Sequence, residues 1–276
     1  MMEAKIRKPA VAGSFYAGDA KELRQDVQNC FSRCKNPLME NVQAVIVPHA
    51  GYVFSGVTAA SAFAAINPDA EYEHIFLLGP SHHVYLGKAS VNIGASAYAT
   101  PLGNVPVDTA LCKDLMEKSD AITYAPEAHE SEHCLEVELP FLQYHMKKIP
   151  SIVPIIIATQ ELTTLKKIAD TLKPYLNEKN LFVISSDFSH YPAYKDAEII
   201  DGLTKDSIMT GKVEAFVNAT LHNQELGIDH LATSACGMAP IATLLMMTEN
   251  DANIKPQHVM YCNSGDSPYG GKDKVV

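Results

Sequence analysis

Apolar residues in this chain fall into unbroken runs as well as spaced stripes, and the two patterns predict different elements. Ala44-Val45-Ile46-Val47, Ile75-Phe76-Leu77-Leu78, Ile152-Val153-Pro154-Ile155-Ile156-Ile157 and Leu181-Phe182-Val183-Ile184 show no polar alternation. Such runs predict strands covered on both faces, as in a parallel sheet. Between them the period is helical. Asp19 and Glu22 match a capping box opening a helix over 19–33. Residues 56–66, rich in alanine, read as the helix returning from the first strand. Helix 109–118 carries Leu111, Leu115 and Met116 on one face, and helix 161–173 carries Leu165, Ile168, Ala169 and Leu172. Helices are also predicted over 194–209, 211–221 and 240–247, further strands over 89–96 and 258–263, and a loop over 101–106. Strands alternating with helices predict a three-layer α/β/α fold around a largely parallel or mixed central sheet. At 276 residues the chain sits near the upper limit for one core, and neither a linker nor a fixed-period repeat divides it. A single domain over 1–276 is the expectation.

Three of the apolar runs lead into polar clusters: Pro48-His49-Ala50-Gly51-Tyr52, Gly79-Pro80-Ser81-His82-His83 and Ser185-Ser186-Asp187-Phe188-Ser189-His190-Tyr191. Ligands of open parallel sheets bind outside the carboxyl ends of the strands. The same side of the sheet therefore receives His49, His82 or His83, Asp187 and His190. Adjacent His82 and His83 cannot both point inward from an extended segment, and the residues alone leave that choice open. Asp187 and His190, three apart, can meet in one turn, where a carboxylate fixes the imidazole tautomer for acid–base work. Asp187 as the cap of the following helix is the structural alternative.

Cys236 stands just ahead of a helix, whose positive end favours thiolate. With two imidazoles nearby it becomes a third ligand, a donor set that suits Zn, Cu or Fe(II). A nucleophilic Cys236 with His190 as its base is the competing chemistry. His129-Glu130-Ser131-Glu132-His133 matches the zinc-protease pattern H-E-x-x-H. That motif needs the middle of an amphipathic helix, whereas here Pro126 lies just before it and the intervening residues are polar. The segment reads instead as a pocket wall in which His133 and Glu136 share a helical face. Phe15, Tyr52, Phe54 and Phe188 are candidates to line an aromatic pocket, although each would also suit the core.

Composition narrows the classes. The formal net charge of -10 and scattered Lys and Arg provide no basic stripe for nucleic acid. No apolar stretch approaches the roughly 20 residues that span a bilayer. Met1 to Lys8 carries charge with no apolar core behind it, unlike a signal peptide. A cytoplasmic protein is expected, with its six cysteines as free thiols, since no C-x-x-C pair is present. Cys30 and Cys34 fit one helix at i, i+4 spacing.

Taken together, Ala12-Gly13-Ser14-Phe15-Tyr16, Pro48-His49-Ala50-Gly51-Tyr52, Gly79-Pro80-Ser81-His82-His83, Glu132-His133, Glu136-Val137-Glu138-Leu139-Pro140-Phe141, Ser185-Ser186-Asp187-Phe188-Ser189-His190 and Cys236-Gly237 resemble the motifs of the Memo family. That family is similar in fold to the catalytic subunit of class III extradiol ring-cleaving dioxygenases. The resemblance implies metal-ligand positions at His49, His82 and Cys236, with Asp187 and His190 beside them and His190 at the dioxygenases' catalytic histidine. It places a cysteine where the dioxygenases have a carboxylate, which shifts metal preference and redox behaviour. It also implies a partner system with a radical SAM protein encoded nearby. The first expectation is a redox protein holding Fe(II) or Cu, with Zn also suited to the donors, acting on a small molecule or peptide. A binding module for an anionic or phosphorylated peptide comes second, and a cysteine or zinc hydrolase third.

Overall fold

The apolar runs form four neighbouring strands of one six-stranded sheet in the computed structural model, which describes residues 5–276; the run 44–47 is its edge strand and is half-buried rather than covered on both faces, and the first four residues of the charged start lie outside the described part. In chain order the elements begin with β1 (Lys5–Arg7), α1 (Ala20–Ser32), β2 (Ala44–Val47), α2 (Tyr52–Ala64), β3 (His74–Pro80), β4 (Lys88–Val91), β5 (Ala95–Thr100) and β6 (Gly103–Pro106). They continue with α3 (Thr109–Lys118), β7 (Ile122–Thr123), α4 (Glu127–Glu130), α5 (Leu139–His145), β8 (Ser151–Ala158) and α6 (Leu162–Leu172). Last come β9 (Asn180–Ser185), α7 (Tyr194–Met209), α8 (Val213–Glu225) and α9 (Met238–Thr248). The main sheet has the order β2-β9-β3-β8-β4-β7, and a second sheet has the order β1-β5-β6. Strands β2, β9, β3 and β8 are parallel, while β4 runs antiparallel to β8. The fold is α/β with a mixed, mostly parallel sheet flanked by helices. Among the described residues no helix is long and apolar enough to cross a membrane.

Pro154 sits in a central strand, where a missing N–H would ordinarily break a ladder. The β4 register covers only Ile155 to Ala158, so Pro154 lies one residue beyond its end. The Ile152 carbonyl accepts from Asp108 on that side. Pro154, two residues on, faces the same way, into a stretch where β4 has stopped.

Three sequence expectations are corrected. Residues 89–96 form no single strand. The chain leaves the main sheet after Val91 and enters the small one at Ala95, turning where Asn92 Oδ1 accepts from Gly94 N–H at 3.1 Å. Any Cβ on Gly94 would collide with the Tyr124 hydroxyl. The loop expected over 101–106 contains β6, which pairs with β5 through a turn at Gly103, whose φ is +124°. Residues 258–263 make no strand. Their side chains anchor them singly instead: Met260 Sδ on Ser61 Oγ at 3.2 Å, Tyr261 donating to Asp201 at 2.8 Å, and Cys262 Sγ against Thr58 Oγ1 at 2.7 Å. Helix α2 also starts four residues ahead of its expected position at 56, so that it begins immediately after the His49 loop.

Candidate metal centre

β2 leads directly into His49, β3 into His82, and β9 into the Ser186–His190 loop, while Cys236 precedes Gly237, the N-cap of α9. Short exits from a rigid sheet bring side chains far apart in sequence to one place. One ligand atom each of His49, His82 and Cys236 lie within 4.8 Å of one another. Asp187, His190 and Cys236 form a second group on the same terms, so the sulfur belongs to both.

His49 Nε2 is 3.2 Å from Cys236 Sγ and 3.7 Å from the Asp187 carboxylate, and Nδ1 is 2.7 Å from Ser185 Oγ. Burial pushes the imidazole pKa down to about 4 against the pull of Asp187, so the ring is neutral near pH 7. A neutral ring is what coordination requires. Asp187 accepts from the main-chain N–H groups of His49 and Ala50 at 2.8 and 3.2 Å. It thus ties the β9 loop to the β2 loop and caps no helix.

His82 is held by Glu132, which accepts from its ring Nδ1 at 2.9 Å and from its main-chain N–H at 2.7 Å. Burial alone would raise the Glu132 pKa, but the His82 hydrogen bond and charge, with main-chain donors, hold it well below the usual carboxylate range. In His82 burial works downward and is outweighed by Glu132, leaving the imidazole above its ordinary value. Because an ionised carboxylate only accepts, Nδ1 carries the proton and Nε2 is the free ligand atom. Both residues are exposed overall, but the His82 ring packs edge-on to His49 with centroids 5.2 Å apart, whereas His83 turns to the Ser131 carbonyl, 3.2 Å from its Nε2. The inward member of the pair is His82.

Cys236 departs from expectation. Burial, and then the Asp187 charge, push its thiol well above the ordinary range. The dipole of α9 is outweighed, because the sulfur is enclosed beside a carboxylate. A bound cation would supply the charge that favours thiolate.

His190 Nδ1 lies 3.0 Å from the Phe188 carbonyl. A carbonyl only accepts, so Nδ1 carries the proton and Nε2 keeps a free lone pair. The orienting partner is therefore a main-chain oxygen rather than Asp187. His133 joins the cluster, its ring centroid 4.8 Å from those of His82 and Phe15 and 5.4 Å from that of His49. It does not share a helical face with Glu136: residues 132–133 are irregular and 134–138 form turns, and Glu136 turns away to Arg7 and the Tyr16 hydroxyl, each at 2.6 Å. Helix α4 ends at Glu130, within H-E-x-x-H, and the buried His129 ring sits between Ser90 Oγ at 3.0 Å and the Tyr98 hydroxyl at 3.1 Å. Among the described residues the motif's two histidines share no donor group; Glu132 and His133 join the His82 cluster instead.

Phe15, Phe54, Phe188, His133 and His190 line a cleft of about 1150 Å³ that extends from the cluster along the β2 edge to residues 253–263. Tyr52 is a core residue instead. Its ring packs 4.6 Å from Phe141 and its hydroxyl donates to the Val137 carbonyl at 2.7 Å. Sequence reasoning missed Glu132 and Ser185 as partners of the ligand rings. Glu132 meets His82 across 50 residues, and no local spacing announces that contact. Two imidazoles whose Nε2 atoms face the centre, that of His49 toward the Cys236 sulfur, with each ring held through its other nitrogen, fit a transition-metal ion together with that sulfur.

A family model described as Memo-like protein matches residues 7–276. A MEMO1 family protein of Methanosarcina mazei is 32% identical over 276 residues, covering 99% of this chain and 97% of that protein. One of Nitrosopumilus maritimus is 32% identical over 270 residues, covering 95% and 94%. Another, of Aeropyrum pernix, is 34% identical over 275 residues, also covering 95% and 94%. The chain belongs to the Memo family.

Proposed function

We propose that this Memo-family protein binds one redox-active metal ion, Fe(II) or Cu, through His49, His82 and Cys236, and acts on a small molecule or peptide seated in the cleft. The observation that carries the reading is the convergence of these three donor groups within 4.8 Å, with both imidazoles tied down through their far nitrogens. When bound, the ion supplies Lewis acidity and an electron-transfer centre. The protein's own residues do the rest. His190 offers its Nε2 lone pair as the acid–base group, and Phe15, Phe54, Phe188 and His133 form the walls. Zn suits the same donors, so metal identity is a matter for measurement.

The cleft of about 1150 Å³ supports a second reading, a binding module for an anionic peptide. A hydrolase using Cys236 as nucleophile is disfavoured, because its thiol is held protonated by burial and by Asp187.

The test is metal analysis of protein purified without oxygen or an affinity tag. About one Fe or Cu per chain is the expected result, and Zn alone would remove the redox role. Alanine at His49, His82 or Cys236 should lower affinity by at least the 10–100-fold typical of losing an outer partner, with the fold intact by circular dichroism. Unchanged metal content in all three variants would leave the binding module as the better reading.

A further inference from the structure

Neither Ser185 nor Glu138 lines the cleft; both stand behind His49. Ser185 Oγ has three polar neighbours: the Cys134 carbonyl at 2.7 Å, His49 Nδ1 at 2.7 Å and Glu138 Oε1 at 3.1 Å. A serine hydroxyl has one hydrogen and two lone pairs. The Cys134 carbonyl only accepts, and among the described residues it has no other donor, so it takes the hydrogen. The two lone pairs must then each meet a donor. One is His49 Nδ1–H. The other has to be an O–H on Glu138.

We infer that Glu138 is a neutral carboxylic acid that donates to Ser185 and, through that hydroxyl, positions His49 with its Nε2 lone pair facing Cys236. With the acid filling one lone pair, the serine hydrogen has a single destination and His49 Nδ1 a single role. The inference rests on the metal-centre reading only for its consequence in metal affinity. The surroundings of Glu138 agree with it. The side chain is fully buried, and its Oε2 has no hydrogen-bond partner, a cost far smaller for a carbonyl oxygen than for an anion. Among the described residues no Lys or Arg pairs with it. Burial and the negative charge of Asp187 both push its pKa well above the usual carboxylate range, against the Ser185 hydrogen bond. Tyr52 and Cys134, the other titratable groups that feel Glu138, are themselves pushed up by burial and remain neutral. Glu138 is therefore a positioning residue, two side chains removed from the ion.

Two readouts on metal-free protein test this without reference to activity. An infrared band of a protonated carboxylic acid should be present at neutral pH and missing from Glu138→Gln. Nitrogen-15 spectra should show His49 in the Nδ1–H form in the wild-type protein and in Glu138→Gln, whose amide N–H replaces the donor. In Ser185→Ala the tautomers should mix. In Zn(II) titrations Ser185→Ala should bind 10–100-fold more weakly, the usual cost of losing an outer partner, while Glu138→Gln binds as wild type. No acid band attributable to Glu138, or His49 in the Nε2–H form, would overturn the inference. The wild-type tautomer needs no variant to fold, so that arm stands by itself. If both signatures hold and neither Zn(II) nor Fe(II) binds, the Glu138 inference stands and the metal reading fails.

Discussion

Glu132 accepts from His82 twice, from the ring and from the main chain, and so fixes both the ring's tautomer and its direction. Glu132→Gln keeps an acceptor oxygen but removes the charge that holds the imidazole above its ordinary pKa. Metal affinity should fall by about 10-fold, the lower end for outer-partner loss, as read by competition against a chelator. Wild-type affinity would mean that the main-chain contact alone sets the ring. His190 makes a different prediction, because its Nδ1 is spent on the Phe188 carbonyl and its Nε2 is free. His190→Ala should keep the metal and lose oxygen- or substrate-dependent turnover. If it strips the metal as thoroughly as His49→Ala, His190 is a ligand. At this scale the sequence was legible wherever a polar residue follows a buried run directly, as His49 and Asp187 do. The choice between His82 and His83 was not, since it is decided by a carboxylate 50 residues away. Nor was the Cys236 thiol, whose burial beside Asp187 opposes the helix end.

Elements were legible in proportion to how continuous their apolar pattern is. β2, β3, β8 and β9 fall on the unbroken runs, and α3 and α7 match their expected limits. The weak pattern over 89–96 spans two strands in two sheets, because small residues such as Ala89, Ser90, Ala95 and Ser96 suit either. What divides them is the close approach of Gly94 to Tyr124, a tertiary event. The strand expected over 258–263 is instead a segment whose side chains dock on α2 and α7 without any ladder. A comparable close approach fixes the start of α9. Gly237 donates its N–H to Ser186 Oγ at 2.9 Å, and a Cβ there would collide with the Ser186 side chain. Its φ of -88° suits any residue, so space alone requires glycine. Gly237→Ala should cost about 1–3 kcal/mol, as overpacking does, read as a lower urea midpoint. It should also make Cys236 react faster with an alkylating agent, as the loop that encloses the sulfur gives way. An unchanged midpoint and alkylation rate would show that the β9 loop yields freely.

At the scale of the whole molecule, two deeply buried histidines among the described residues are kept neutral, one at the candidate centre and one in the core. Burial lowers His49 from 6.5 to about 4, and burial followed by the Arg7 charge lowers His129 from 6.5 to about 3. Below pH 6.5 the unfolded chain therefore binds protons at both positions that the folded chain refuses, and stability falls as the pH falls. Each such group contributes a slope of about 1.4 kcal/mol per pH unit while it is charged only in the unfolded state. Glu132 acts in the same sense at lower pH, because its folded pKa is depressed and its contribution is lost as it protonates. His82 acts oppositely: its folded pKa is raised, so its contribution is present in acid and lost as the pH rises through that value. Glu138 and Asp201 oppose the trend as well, because their folded pKa values are raised and the folded chain keeps protons there that the unfolded chain loses above the ordinary carboxylate range. His133, lowered by burial, adds to the two deep depressions, and together these three outweigh the rises. The net charge of -10 becomes less negative on acidification, which relieves general repulsion and works against the trend only weakly at ordinary ionic strength. Metal-free protein should therefore lose stability steadily between pH 6.5 and about 4, seen as a falling urea midpoint at constant m-value. His129 is the clean probe, since its ring meets Ser90 and Tyr98 and none of the proposed ligands. His129→Gln should lower stability at pH 7, where two hydrogen bonds are disturbed, yet flatten the acid slope by roughly one proton's worth. A variant with the wild-type slope would show that His129 takes up its proton without unfolding, and that the acid sensitivity has another source.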